Sequence, residues 1–287
     1  MDAQNVTPMM QQYLSAKAAH PNELLFFRLG DFYEMFFDDA KVAAKELGLT
    51  LTSRSGDLDK NPMCGVPYHA ADSYIARLVA KGFKVAIAEQ IGDPKAKGLT
   101  HREVVKVVTP GTTLSDDLLR DAANNYIALL HEKEDGTFVL AGADISTGEA
   151  FYASYAGETA AQQILDELYR RMVAELLMTE GFPLKGEVCA FLTQRLPHCA
   201  VTMIPTAAKD ELLSQHFPAV EIPTDAGARA AVATLLRYLH DTVMADLSQL
   251  NRLSFLNTAD TMQLDTYTLR NLEITRSPRD GGKKNTL

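Results

Sequence analysis

Leu24 to Ala40 reads LLFFRLGDFYEMFFDDA. An apolar-rich run, Leu24 to Leu29, is broken by Gly30-Asp31, and an aromatic-rich run, Phe32 to Phe37, then leads into DDAKVAAKEL. Gly followed by a small polar residue between two such runs signals a hairpin, because Gly at the first central position of a tight turn takes positive φ without steric cost. The stretch predicts two strands, a turn and the start of a helix.

In an extended Phe32–Phe37 segment, side chains alternate, so Phe32, Glu34 and Phe36 share one face while Tyr33, Met35 and Phe37 share the other. Phe32 and Glu34 then stand roughly 7 Å apart near the turn. A core phenylalanine beside a solvated strand-end carboxylate satisfies this pattern. A carboxylate between two aromatic residues is nonetheless not what a buried sheet face normally accepts. The functional alternative is an apolar wedge with a hydrogen-bonding partner two residues on, able to enter a stacked duplex and hold what it displaces.

Further blocks follow one another along the chain: TPMMQQYL (Thr7 to Leu14) before the hairpin, then PMCGVPYHA (Pro62 to Ala70), AEQIGDP (Ala88 to Pro94), VVTPGT (Val107 to Thr112), ADISTGEA (Ala143 to Ala150) and RNLEIT (Arg270 to Thr275). In these blocks and their order the chain resembles the amino-terminal part of the MutS family of DNA mismatch-repair proteins, over essentially its whole length. The resemblance implies an α/β protein in three parts. Residues 1–111 would be a mixed-sheet mismatch-recognition domain, 112–252 a ribonuclease-H-like connector, and 253–287 the first helical part of a core or lever domain, cut short. It also implies that Phe32 stacks on a mispaired base from the minor groove and that Glu34 hydrogen-bonds the displaced base edge. Beside an anionic duplex, repulsion and desolvation favour the neutral carboxyl, which would make Glu34 a donor when bound.

Composition is compatible with this without announcing it. The chain has 287 residues, 46% hydrophobic and 23% charged, ordinary for a globular protein. Apolar runs are far too short to span a bilayer and the polar start has no signal-peptide character, so a cytoplasmic location away from membranes is expected. Cys64, Cys189 and Cys199 are scattered without CxxC spacing, which suggests free thiols and no zinc site. The net charge is −9, but residues 1–110 carry thirteen Lys and Arg against thirteen Asp and Glu, and the deficit lies in the remainder. A neutral first region can still present a basic face, since phosphate contacts are local.

Along the chain, Thr7 caps and Pro8 opens a predicted first helix that ends at His20-Pro21. Helix 38–47, stopped by Gly48, is followed by a predicted strand LTLTSR and a turn-rich segment 62–69. Helix 71–81 and strands KVAIAEQI and REVVKVV complete an α/β region. The resemblance implies backbone contacts from Arg54, Lys81, Arg102 and Lys106, and weaker groove contacts from Val66, Pro67, Tyr68 and His69. After residue 125, three strands in meander spacing, a helix, a strand, a helix–strand pair and a long helix 225–247 are expected. Asp144 falls where ribonuclease-H-like nucleases carry a metal-binding carboxylate, but two-metal chemistry needs several converging carboxylates and only Glu149 accompanies it. Asp144 is therefore expected to be structural.

The complete family members use ATP and magnesium, form homodimers and engage a downstream repair protein. This chain holds no G-x-x-x-x-G-K-[ST] phosphate loop, and Gly281-Gly282-Lys283-Lys284-Asn285 lacks both the spacing and the hydroxyl. No cofactor and no nucleotide hydrolysis are expected from it. Two other functions fit parts of the sequence. One is a metal-dependent nuclease using Asp31, Glu34, Asp38 and Asp39, weakened because Ile91 stands where a catalytic lysine would follow Glu89. The other is a protein-interaction module, favoured by the acidic second part.

Overall fold

A computed structural model of the chain describes residues 7–53, 56, 58, 60–92, 100–113, 124–206 and 211–257. They form two compact units, one drawn from residues 1–123 together with 239–246 and the other from 124–238 together with 247–287, each built on one mixed sheet.

In the first unit, helix α1 (Pro8–Ala19) is followed by β1 (Leu24–Leu29), β2 (Phe32–Phe36) and α2 (Phe37–Leu47). Then come β3 (Met63–Pro67), a 3-10 turn (Tyr68–Ala70), α3 (Ala71–Val79), β4 (Val85–Ile91) and β5 (His101–Val108). Gly30, at φ +60°, makes the tight β1–β2 turn that the sequence predicts. The strand order is β3-β2-β1-β4-β5, with β4 parallel to β1 and every other pair antiparallel. One face buries Phe26, Met35, Val66, Ile75, Leu78 and Val85 among the residues of α2 and α3. The other buries Phe27, Phe36, Ala86 and Val107 around Tyr13 of α1.

Two local expectations change. The predicted strand LTLTSR reduces, over its described residues, to a single bridge between Thr52 and Met63. The segment read as turn-rich instead holds strand β3, because Met63 to Pro67 find backbone partners on β2 that no local pattern announces.

Asp39 ties this unit together. It is 6% exposed, and its carboxylate accepts from the Leu25 backbone N–H at 3.0 Å, from Lys17 Nζ at 2.9 Å and from the Tyr13 hydroxyl at 3.4 Å. One side chain on α2 thus anchors both α1 and β1.

In the second unit, β6 (Tyr126–Glu132), β7 (Phe138–Asp144) and β8 (Glu149–Tyr155) form the expected antiparallel meander. Helix α4 (Ala160–Arg170), β9 (Glu175–Thr179), α5 (Lys185–Arg195) and β10 (Ala200–Ile204) follow, with β9 parallel to β6 and β10 parallel to β9. After α6 (Glu211–His216) and α7 (Ala226–Val243), whose residues from Leu239 on belong to the first unit, the strand β11 (Arg252–Phe255) pairs parallel to β8. That edge strand spans the start of the region expected to be helical, and residues 258–287 lie outside the described part. The order is β10-β9-β6-β7-β8-β11.

Gly142 on β7 shows how tightly this core is filled. A Cβ there would meet the Phe151 ring at 2.3 to 3.0 Å, and that ring, itself fully buried, carries the Arg171 guanidinium 3.7 Å from its centroid. Arg171 in turn pairs with Glu167 at 2.7 Å, so the ring has little room to yield. Gly142→Ala is expected to destabilise by about 2 kcal/mol through overpacking, measured as a lowered urea midpoint with an unchanged slope.

Candidate functional site

The hairpin positions its side chains by a simple difference of cover. Phe32, Glu34 and Phe36 do lie on one face of β2, as alternation requires. Phe36 is buried under Tyr13, with ring centroids 4.9 Å apart and an edge-on angle of 74°, whereas Phe32 is 47% exposed. Helix α1 covers the helix-proximal end of the strand and leaves the turn-proximal end open. Glu34, between them, is partly buried and stands opposite Phe27 on β1 and Gly65 on β3.

The end of β2 is held as firmly as its start. Phe37 takes φ +54°, left-handed for a non-glycine residue, at a cost of roughly 1–2 kcal/mol. Its N–H donates to the Pro62 carbonyl at 2.9 Å and its ring packs 6.1 Å from that of Tyr13. Strand therefore passes into helix α2 without a loop, fixing the hairpin against the body of the unit.

Three exposed apolar side chains share the sheet end at which the β1–β2 turn lies: Phe32, Tyr68 (46%) and Ile91 (43%). Pro67 is the cross-strand partner of Phe32, and His69 is exposed with its ring 5.8 Å from that of Tyr68. Val66 is a correction. It is fully buried in the core face with Met35 and Cys64, because alternation along β3 turns it inward, so its side chain can touch no ligand.

The cations are less uniform than the sequence suggests. Arg102 lies at the turn end, its guanidinium 5.4 Å from the Phe27 ring centroid, but Nε donates to the Arg28 carbonyl at 2.6 Å and a terminal nitrogen to the Thr100 carbonyl at 2.9 Å. Burial holds its pKa below the usual guanidinium range. Lys106 is exposed on β5. Lys81, beyond α3, pairs with Glu46 at 2.8 Å. It precedes β4, whose start pairs with Leu24 at the far end of β1 from the turn, so the structure does not bring it to Phe32. Arg54 lies outside the described residues.

Local pattern does not single out Arg28, although an arginine inside the apolar run LLFFRL is a signal. Its guanidinium lies 3.9 Å from the Tyr68 ring centroid and 5.4 Å from that of Tyr33, and pairs with Glu89 at 3.8 Å. Tyr33 also donates its hydroxyl to Glu89. Burial and that bond push the Tyr33 hydroxyl up to about 12, so it remains a donor across the neutral range.

Among the described residues, Asp31, Glu34, Asp38 and Asp39 are not grouped so that three of them could hold a metal. Asp39 is buried and engaged as above, and Asp38 is exposed and paired with Lys41 at 3.1 Å. In the second unit Asp144 is fully buried and accepts from the Asn125 and Ser146 backbone N–H groups and the Ser146 hydroxyl. That is a turn-capping role. Glu149 accepts from the Tyr126 hydroxyl at 2.8 Å. Among the described residues no group of three or more His, Cys, Asp or Glu is placed to hold a metal, and no helix is long and apolar enough to cross a membrane.

Comparison with known proteins bears on the whole chain. Residues 7–117 match the family model "MutS domain I". The chain is 42% identical to the DNA mismatch repair protein MutS of Desulforamulus reducens, covering 98% of this chain and 33% of that protein. It is 43% identical to that of Brevibacillus brevis (98% and 31%) and 41% identical to that of Pelotomaculum thermopropionicum (97% and 33%). It thus spans about a third of the length of these relatives. Among solved structures, the nuclease domain of the large terminase subunit gp2 of bacterial virus Sf6 matches at 14% identity with a TM-score of 0.24, covering 57% of this chain and 78% of that one, too little to carry an argument. The domain-I match across the hairpin unit, joined to identity above 40% along nearly every residue, means that the chain belongs to the MutS family.

Proposed function

We propose that the first unit recognises mispaired or unpaired bases in duplex DNA, with Phe32 as the inserted wedge and Glu34 as the hydrogen-bonding partner. The observation that carries this is the exposure of Phe32 at a braced hairpin tip while Phe36, on the same face, is buried. A mispaired step costs less to unstack, so a protein that inserts an apolar side chain and kinks the duplex binds such steps preferentially. Phe32 stacks on the base from the minor groove, Glu34 bonds its displaced edge, and Pro67, Tyr68 and His69 line the groove beside them. Arg54, Arg102 and Lys106, with Lys81 further off, contact phosphates and contribute salt-dependent affinity without sequence information.

In the complete protein this unit would act within a cytoplasmic homodimer that uses ATP and magnesium. This chain holds no G-x-x-x-x-G-K-[ST] stretch that would cradle the nucleotide. The second unit, with three antiparallel strands flanked by the parallel β9 and β10, supports the reading of a ribonuclease-H-like connector. Its acidic balance suits contact with a downstream repair protein.

The test is fluorescence anisotropy of the chain with matched and single-mismatch duplexes at low salt. Tighter binding to the mismatch is expected, and equal binding would overturn the assignment for this chain. Glu34→Gln, which keeps a donor and an acceptor, is expected to retain most of the preference. Loss as complete as that of Phe32→Ala would show that Glu34 does not act as a donor.

A further inference from the structure

We infer that Arg28 is a positioning residue for the recognition hairpin, locking the tip from behind so that Phe32 is presented in one orientation before DNA arrives. The inference rests on the proposed role of Phe32. Its own support is the set of bonds converging on the turn. Arg28 Nε donates to the Gly30 carbonyl at 2.5 Å, inside the turn itself. The Tyr68 backbone N–H donates to the Asp31 carbonyl at 2.9 Å, and the Tyr68 ring lies against the Arg28 guanidinium. Glu89 on β4 holds both Arg28 and the Tyr33 hydroxyl. On the opposite side, Arg102 donates to the Arg28 carbonyl. The turn is thereby tied to β3, β4 and β5 within a few residues of the wedge.

This arrangement uses properties of arginine that lysine lacks. A planar guanidinium can stack on an aromatic ring while directing separate N–H groups at a carbonyl and a carboxylate. The Arg28 side chain is only 18% exposed and its charge is matched by Glu89, which distinguishes it from a solvated cation awaiting a phosphate. Tight hairpins on their own are marginally stable. A tip that must displace a stacked base gains affinity from being ordered beforehand, because the ordering entropy is then not lost on binding.

The test compares Arg28→Lys, Arg28→Ala, Phe32→Ala and the Arg28→Lys/Phe32→Ala double variant with the unaltered chain, by anisotropy on matched and mismatched duplexes over a salt series. Arg28→Lys is expected to lower the mismatch-to-matched ratio about tenfold, equivalent to ~1.4 kcal/mol, while matched-duplex affinity and its salt slope stay unchanged. Added to Phe32→Ala it should cost nothing further, since its effect runs through the wedge. Amide exchange at Tyr68 should accelerate in Arg28→Lys without DNA, reporting the loosened turn. A preference that Phe32→Ala removes and Arg28→Lys retains would overturn this inference alone. Loss of matched affinity and of salt slope in Arg28→Ala, restored by Arg28→Lys, would make Arg28 a phosphate contact and overturn it as well. An unaltered chain without mismatch preference would sink the recognition reading and this inference with it.

Discussion

Phe32→Ala is expected to abolish discrimination between mismatched and matched duplexes while leaving the fold intact. Stacking of a base on an aromatic side chain is worth about 1–3 kcal/mol by alanine substitution, roughly 5- to 150-fold in affinity. The loss should fall on the mismatched duplex, into which the ring is proposed to insert, and spare the salt-dependent phosphate term. Because Phe32 is 47% exposed and its ring is not part of either core cluster, the urea midpoint should move by less than about 1 kcal/mol. Anisotropy and urea unfolding on the same preparation separate the two quantities. A large fall in stability would make Phe32 a core residue after all, and an unchanged binding ratio would remove it from recognition. The corresponding change at Phe36 or Phe27, both buried, should show the opposite pattern: costly to fold, at about 3–5 kcal/mol for a buried phenylalanine.

Asp39→Ala should produce the largest stability loss among the polar positions, on the order of 3 kcal/mol. Removing the carboxylate leaves the Leu25 backbone N–H without its acceptor inside the sheet, and strips Lys17 and Tyr13 of the group that docks α1. Lys17 is 26% exposed and can regain water, so the greater part of the cost is the buried N–H. Asp39→Asn tests this division. It keeps an oxygen for Leu25 and should recover more than half of the loss, as read by far-UV circular dichroism in urea. If Asn and Ala are equally destabilising, the ion pair to Lys17 and not the backbone bond holds the first helix. Undocking of α1 would also uncover Phe36 and blur the contrast with Phe32 on which the proposed function rests.

The same pair of residues marks the limit of what local pattern could disclose. The Gly30-Asp31 turn, the alternation of Phe32, Glu34 and Phe36, the Gly48 stop of α2 and the meander of β6 to β8 were all legible, because turn chemistry and side-chain period act over a few residues. Family resemblance, carried by ordered blocks of sequence, is what singles out Phe32 as the proposed wedge. Period tells which side chains share a face; it does not tell which part of that face is covered. That Phe36 is buried and Phe32 open was decided by Tyr13, twenty-three residues before Phe36 in sequence. That Val66 is core, that the segment around it is a strand, and that Asp39 is an anchor and not a helix-start surface charge, follow from pairings with distant strands and helices. Arg28 is not legible in local pattern because its contacts are with Tyr68 and Glu89, which are brought to it only when β3 and β4 assemble around β1. Sequence by itself determined most of the elements, their order and the family; tertiary packing decided the strands β3 and β11, which surface of the hairpin faces solvent and what holds it still, since strand pairing, burial and bracing are properties of contacts far apart along the chain.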